Sequence, residues 1–237
     1  MLRGKAVMIT GASRGLGKAL ALAYAREGAN LIINSRNADS LDPVAREAEG
    51  TGVEVLAFPG DVSRSTHVEK LVGAAVDQFG RIDVLVNNAG VLGPRVPIEE
   101  YPEDEWRKAL EANLTGPFLL TKAVIPHMPE GGSIINVTSG VSIEGRAEWG
   151  AYSVSKFGLE GLTQILAAEL KDRGIRANSV DPGGMRTEMR AAAYPDEDPT
   201  TRITPEENTG VFLYLASDES RDVTGKRFKA QEFQRTR

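Results

Sequence analysis

No cysteine occurs among the 237 residues, which excludes disulfides and thiolate metal sites. Histidine is nearly absent too: His67 and His127 are the only two, and neither has ligand-like partners at metal spacing, so no metal site is expected. Basic residues are outnumbered, 28 Lys and Arg against 33 Asp and Glu, and the net charge of -5 argues against a nucleic-acid-binding face. No apolar run reaches the length of a membrane span, and the first strand-like run begins within a few residues, without an apolar leader. The expectation is a soluble, cytoplasmic protein that binds neither nucleic acid nor membrane. No Pro/Gly/Ser-rich linker and no fixed-period repeat divides the chain, so one domain is expected over residues 1–237.

What is present is an alternation. β-rich apolar runs at 5–10, 30–35, 53–58, 82–87, 133–138, 175–180 and 226–230 are separated by helical patterns near 15–27, 40–50, 64–79, 102–128, 150–173 and 205–217. Several strands are apolar through most of their length, as in a parallel sheet covered by helices on both faces. Right-handed βαβ crossovers follow, and with them a doubly wound, mostly parallel seven-stranded α/β sheet. The longest irregular stretch, 182–204, is too long for a plain connection and reads as a lid or binding segment.

Three local patterns carry chemistry. The first strand runs into TGASRGLG, with Gly11, Gly15 and Gly17 preceding a helix. Free N–H groups and the helix dipole make such a turn an anion site, and glycine permits the close approach of a pyrophosphate. The second pattern is Tyr152 and Lys156, four apart on one helix face, with Ser139 closing the apolar strand upstream. A lysine cation beside a phenol is expected to lower its pKa from about 10, which suits proton transfer at a carbinol oxygen. The third is Asn113, four residues before Pro117. Proline has no N–H for the Asn113 carbonyl, so the helix is expected to kink there and leave a main-chain acceptor free.

Taken together, TGASRGLG, NNAG at 87–90, Asn113, Ser139, Tyr152-x-x-x-Lys156 and DPGGMRT at 181–187 resemble the single-domain short-chain dehydrogenase/reductases, in order and over nearly the whole chain. The resemblance implies a Rossmann-type fold and an enzyme that reversibly reduces a carbonyl of a small molecule to a secondary alcohol with a nicotinamide cofactor. Asn113, Ser139, Tyr152 and Lys156 would be catalytic: Tyr152 as acid, Ser139 orienting the oxygen, Lys156 tuning the phenol and holding the ribose, Asn113 keeping a water in a proton relay. Cofactor contacts would come from Gly11, Ser13, Arg14, Gly15, Leu16 and Gly17 of the turn, and from Ser35 and Arg36 after the second strand. Asp61 and Val62 would lie at the adenine, although a carboxylate at Asp61 also suits a turn. Asn88, Ala89 and Gly90 would pass close to the ribose, with Tyr152 and Lys156 beside them. Pro182, Gly183 and Thr187 would border the nicotinamide.

One absence bears on the cofactor. The second strand ends Asn34-Ser35-Arg36, without the acid that takes the ribose hydroxyls of NAD, whereas Arg14 and Arg36 suit a 2′-phosphate. NADP(H) is favoured, with an NAD(H)-preferring alcohol dehydrogenase as the alternative and a cofactor-sensing binding protein as a more distant one. The C-terminal VTGKRFKAQEFQRTR departs from the Val-Asp-Gly-Gly ending that serves a subunit interface in many relatives. The helix carrying Tyr152 is apolar on more than one face, which points to a homodimer through that helix, or a homotetramer.

Overall fold

The computed structural model describes residues 2–234. Seven strands form one all-parallel sheet: β1 (Ala6–Thr10), β2 (Asn30–Ser35), β3 (Val55–Pro59), β4 (Val84–Asn87), β5 (Ser133–Val137), β6 (Arg176–Asp181) and β7 (Arg227–Lys229). Their order is β3-β2-β1-β4-β5-β6-β7. The order reverses between β1 and β4, and the crevice outside the carboxyl ends there is where such sheets bind ligands.

The period of two along each strand builds two separate cores. Val7, Ile9, Leu31, Ile33, Val84, Val86 and Ile135 face α1 (Gly15–Arg26), α2 (Asp42–Glu49) and α8 (Gly210–Ala216). Met8, Ile32, Leu85 and Ile134 face the opposite way, toward α3 (Ser65–Phe79), α5 (Gly116–Val124) and α6 (Gly150–Glu169). In α3 the buried residues are Val68, Leu71, Val72 and Ala75, at helical spacing. That helix stops at Gly80, which takes φ 74, a value glycine adopts without steric cost.

Two expectations need correction. The single helix expected over 102–128 is α4 (Glu103–Leu110), a π-helical turn (Glu111–Thr115), then α5 and a 3-10 turn (Ile125–His127). The kink expected from Pro117 therefore takes the form of a widened turn, in which the Gly116 N–H donates to the Glu111 carbonyl five residues back. Residues 182–204, expected to be irregular, contain α7 (Glu188–Ala193) and a 3-10 turn (Pro199–Thr201). The run Met189-Arg190-Ala191-Ala192-Ala193 is made of helix formers, and Thr187 caps it by accepting from the Arg190 N–H (3.2 Å). The segment is also cross-linked: Arg190 forks onto Glu197 with two 2.6 Å bonds, and Arg202 Nε reaches the same carboxylate at 3.0 Å. These hydrogen bonds hold the Glu197 carboxyl down at about 2.

Candidate active site

The catalytic candidates meet at the carboxyl end of β5. Ser139 leaves that strand in extended conformation (φ -165) and caps a 3-10 turn over Gly140–Ser142. Tyr152 and Lys156 lie on the first two turns of α6, one above the other, with the lysine Nζ 5.8 Å from the phenol ring centroid. The Ser139 side chain lines the same cavity as the phenol and lowers its pKa. Lys156 is only 3% exposed, and its Nζ donates to the Val137 carbonyl at 2.7 Å.

Electrostatics here differ from the expectation. Burial pushes the Tyr152 phenol up to about 12; the Ser139 side chain opposes that rise and the Asp181 carboxylate adds to it. The lowering expected from Lys156 is not seen in the chain by itself, because its ammonium is bonded to Val137 and desolvation of the phenolate dominates. Burial pushes Lys156 itself down to about 8, against an upward pull from Glu160 one turn further along α6.

Asn113, fully buried, joins three elements. Its Oδ1 accepts from the Val91 N–H (2.8 Å), while its Nδ2 donates to the Val91 carbonyl (2.9 Å) and to Ser155 Oγ (3.0 Å). The side chain thus ties the segment after β4 to the helix bearing Tyr152 and Lys156. A Cβ at Gly90 would stand 3.2 Å from Asn113 Oδ1 and 3.8 Å from Lys156 Nζ, so the glycine lets that segment pass beside both.

The glycine turn lies next door. A Cβ on Gly17 would sit 2.1 Å from the Gly11 carbonyl oxygen, and one on Gly11 would sit 2.9 Å from Ala89 Cα, so both glycines serve the turn's own packing. The Asn88 amide donates to the carbonyls of Thr10 (2.9 Å) and Gly11 (3.2 Å), and Thr10 Oγ1 accepts from the N–H groups of Asn88 and Ala89. Asn87 points elsewhere and ties β4 to Asn136 and Thr121. Leu16 and Val62 are buried, so their side chains belong to the core wall. Ser13 is partly buried on the turn.

Beyond the turn, Arg36 is exposed immediately after β2. The Ser35 hydroxyl donates to the Asn37 carbonyl (2.9 Å) and is thereby held by the following loop. Asp61 performs the turn role weighed for it: Oδ1 accepts from the Ser63 N–H (3.0 Å) and hydroxyl (2.7 Å). Burial would raise its carboxyl, but the Ser63 bonds and the Arg36 and Arg64 cations outweigh that and lower it. Arg14 is exposed and ion-paired with Glu188 of α7, while Thr187 lies against Gly15, where a Cβ would stand 3.5 Å from its methyl.

A cavity of about 280 Å³ opens onto Ser139 and Tyr152 and runs past Pro182, Gly183 and Thr187. Its other wall is aromatic, which little in the chain's motifs pointed to. Trp149 lies 5.7 Å from the Tyr152 ring and 6.1 Å from Tyr194, and the Arg95 guanidinium covers both Trp149 (5.1 Å) and Tyr194 (5.2 Å). Only the spacing of Trp149, the residue that precedes α6, and Tyr152 on its first turn was available as a signal. Arg95 and Tyr194 come from segments distant in the chain.

The residues present fit a dinucleotide. Helix α1 starts without a side-chain cap, leaving its first-turn N–H groups for an anion. The hydroxyl of Thr138, on the cavity wall, is buried and has no partner within the protein. No acid stands at positions 34–36.

Comparison with known proteins decides the family. The family described as short chain dehydrogenase matches residues 5–198. The chain belongs to the short-chain dehydrogenase family. Among relatives of this dehydrogenase, the oxidoreductase YciK of Escherichia coli K12 is 38% identical over 98% of this chain and 93% of its own length. The 3-oxoacyl-[acyl-carrier-protein] reductase FabG of Thermotoga maritima is 39% identical over 95% of each. A short chain dehydrogenase from Shigella flexneri, crystallised with NADP, superposes with a TM-score of 0.93 at 38% identity, covering 97% of this chain and 98% of that one. This chain is therefore a short-chain dehydrogenase/reductase enzyme, and in its solved relatives the same all-parallel doubly wound fold recurs.

Proposed function

We propose that this dehydrogenase reversibly reduces a carbonyl of a small molecule to a secondary alcohol with NADP(H), through Ser139, Tyr152, Lys156 and Asn113. The observation that carries the proposal is the convergence of Ser139 and Tyr152 on one cavity, with Lys156 beneath the phenol. A phenol held at about 12 remains protonated at neutral pH and is poised to donate. Ser139 and Tyr152 line the same cavity, so an oxygen arriving there meets two hydroxyls at once. NADP(H), when bound, supplies or accepts the hydride and in its oxidised form brings positive charge. Lys156 and the 88–90 segment hold its ribose, Pro182, Gly183 and Thr187 flank the reacting ring, and Arg14 and Arg36 take the 2′-phosphate. Asn113 ties Val91, next to the 88–90 segment, to Ser155 of α6.

NADP in a related crystal structure supports this preference, as does the exposed, acid-free end of β2. The segment 182–204 acts as lid, since α7 pairs with the glycine turn through Glu188 and Arg14. Val154, Phe157 and Ile165 of α6 and Phe118 of α5 are large apolar side chains left exposed, which supports pairing of two copies through α6. No helix among the described residues is long and apolar enough to cross a membrane, and we assign the enzyme to the cytoplasm.

NADPH oxidation against a panel of ketones, sugars, steroids and acyl thioesters tests the reading. Turnover with at least one class that Tyr152→Phe abolishes is the expected result. Binding of NADP(H) with no turnover on any class would favour the cofactor-sensing alternative.

A further inference from the structure

The C-terminal segment, which departs from the family's usual ending, turns back into the site. We infer that Arg227 and Gln231, which flank the end of β7, are positioning residues for the reaction: Arg227 fixes Ser139 and Asp181, and Gln231 fixes the Pro182–Gly184 turn. This inference rests on the carbonyl-reductase reading above.

The contacts are specific. Arg227 Nη2 donates to the Ser139 carbonyl (3.1 Å) and to Asp181 Oδ2 (2.9 Å), and its Nε donates to Glu160 Oε1 (3.1 Å). One guanidinium thus joins the catalytic serine's backbone, the last residue of β6 and the helix of Tyr152 and Lys156. The carboxylates are further held from behind: Glu160 accepts from Ser142 Oγ (2.9 Å) and Ser179 Oγ (2.5 Å), and Asp181 Oδ1 accepts from the Gly183 N–H (3.0 Å). Four residues beyond Arg227, Gln231 Nε2 donates to the carbonyls of Pro182 and Gly184, each at 2.9 Å. A Cβ on Gly183 would come within 2.5 Å of that amide nitrogen, so the turn and the glutamine are closely fitted. Phe228 and Phe233 anchor the segment against Tyr214 of α8, at centroid distances of 6.4 and 5.2 Å.

Charge gives the arrangement a second consequence. Two largely buried carboxylates share one guanidinium: Asp181 faces Tyr152, and Glu160 faces Lys156. Both carboxylates raise the pKa of the group they face, so a cation between them holds that effect in check. Without it the serine carbonyl loses a donor and both carboxylates stand unpaired.

The test uses the full chain and the variants Arg227→Gln, Arg227→Lys, Glu160→Gln and Gln231→Ala. For Arg227→Gln we expect kcat to fall ~10-fold with the carbonyl KM within about threefold, as for a misplaced reacting group. Its alkaline limb of kcat/KM should move to higher pH, because Glu160 and Asp181 lose their shared cation. Glu160→Gln should move the limb the opposite way, and Arg227→Lys should restore it. Gln231→Ala should weaken NADP⁺ binding at least ~5-fold by calorimetry, a readout that needs no turnover. Variants that lose only thermal stability, with kcat, limb position and NADP⁺ affinity unchanged, would overturn the inference. If the wild type reduces no carbonyl, the functional reading fails separately. Arg227 is then judged by the alkaline absorbance titration of the phenol, with Tyr152→Phe as blank: a shift upward in Arg227→Gln supports it and no shift overturns it.

Discussion

Arg14 of the glycine turn and Glu188 of α7 form an ion pair that joins that turn to the 182–204 segment. The same guanidinium is assigned to the 2′-phosphate, so on that assignment Glu188 competes with the cofactor for it. Both side chains are largely exposed, which limits the pair to at most about 1 kcal/mol. Glu188→Ala should therefore tighten NADP⁺ binding by ~2- to 5-fold at low salt while leaving NAD⁺ affinity unchanged. The gain should fade at high ionic strength. Calorimetric titration of both cofactors checks this, and equal or weaker NADP⁺ binding by the variant would remove Arg14 from the phosphate site.

Tyr152→Phe should abolish turnover and leave NADP⁺ affinity within about twofold, because it deletes the proton donor and little else. General acids contribute on the order of 10²–10⁴ in rate, so more than a few per cent of wild-type kcat in the variant would mean that another group donates. In the wild type, kcat/KM for NADPH should decline as pH rises through about 8, where Lys156 loses its proton. The decline belongs to the free enzyme, and a profile flat to pH 10 would show that the lysine charge plays no part.

The fold was legible because its period-two strands and helical patterns separate cleanly; all seven strands lie within two residues of their expected bounds. Gly11 and Gly17 were legible for a related reason, since no other residue fits where a Cβ would strike backbone. The helix over 102–128 was misread because Pro117 can be absorbed by a π turn as well as by a kink, and sequence does not choose between them. The phenol's pKa was misread because burial is a property of the folded site, and it outweighs a neighbouring cation whose own bond goes to Val137. Arg227, Glu160 and Asp181 were illegible: three charges 21 to 67 positions apart meet only through the order of β6, β7 and α6.

Stability should carry the signature of Lys156. Its folded pKa, about 8, lies below the ordinary lysine value, so between about pH 8 and 10.5 the folded state binds fewer protons than the unfolded one. Stability then rises with pH across that window, and the unfavourable contribution is fully present below it. Tyr152, raised to about 12, acts in the opposite direction, but only above about pH 10. Urea unfolding at pH 7.5 and 9.5 should show the wild type gaining about 2 kcal/mol relative to Lys156→Met. Parallel behaviour of the two proteins would mean that the folded amine is hydrated and keeps its ordinary pKa.

The last expectation concerns Arg36. It is exposed directly after β2, no acid accompanies it at positions 34 or 35, and it is close enough to Asp61 to lower that carboxyl. A charge-assisted bond from its guanidinium to a phosphate is worth roughly 1.5–3 kcal/mol. Arg36→Ala should accordingly weaken NADP⁺ by about 10- to 150-fold and leave NAD⁺ nearly unchanged, because only the 2′-phosphate distinguishes the two. Adding Ser35→Asp places a carboxylate where the ribose hydroxyls of NAD would bind, and the ratio of kcat/KM for the two cofactors should shift toward NAD by at least ~100-fold. That second change also removes the Ser35 hydroxyl from the Asn37 carbonyl, so a modest loss of thermal stability should accompany it. A wild type that prefers NADH, or an Arg36→Ala variant that weakens both cofactors equally, would show that this arginine does not read the phosphate.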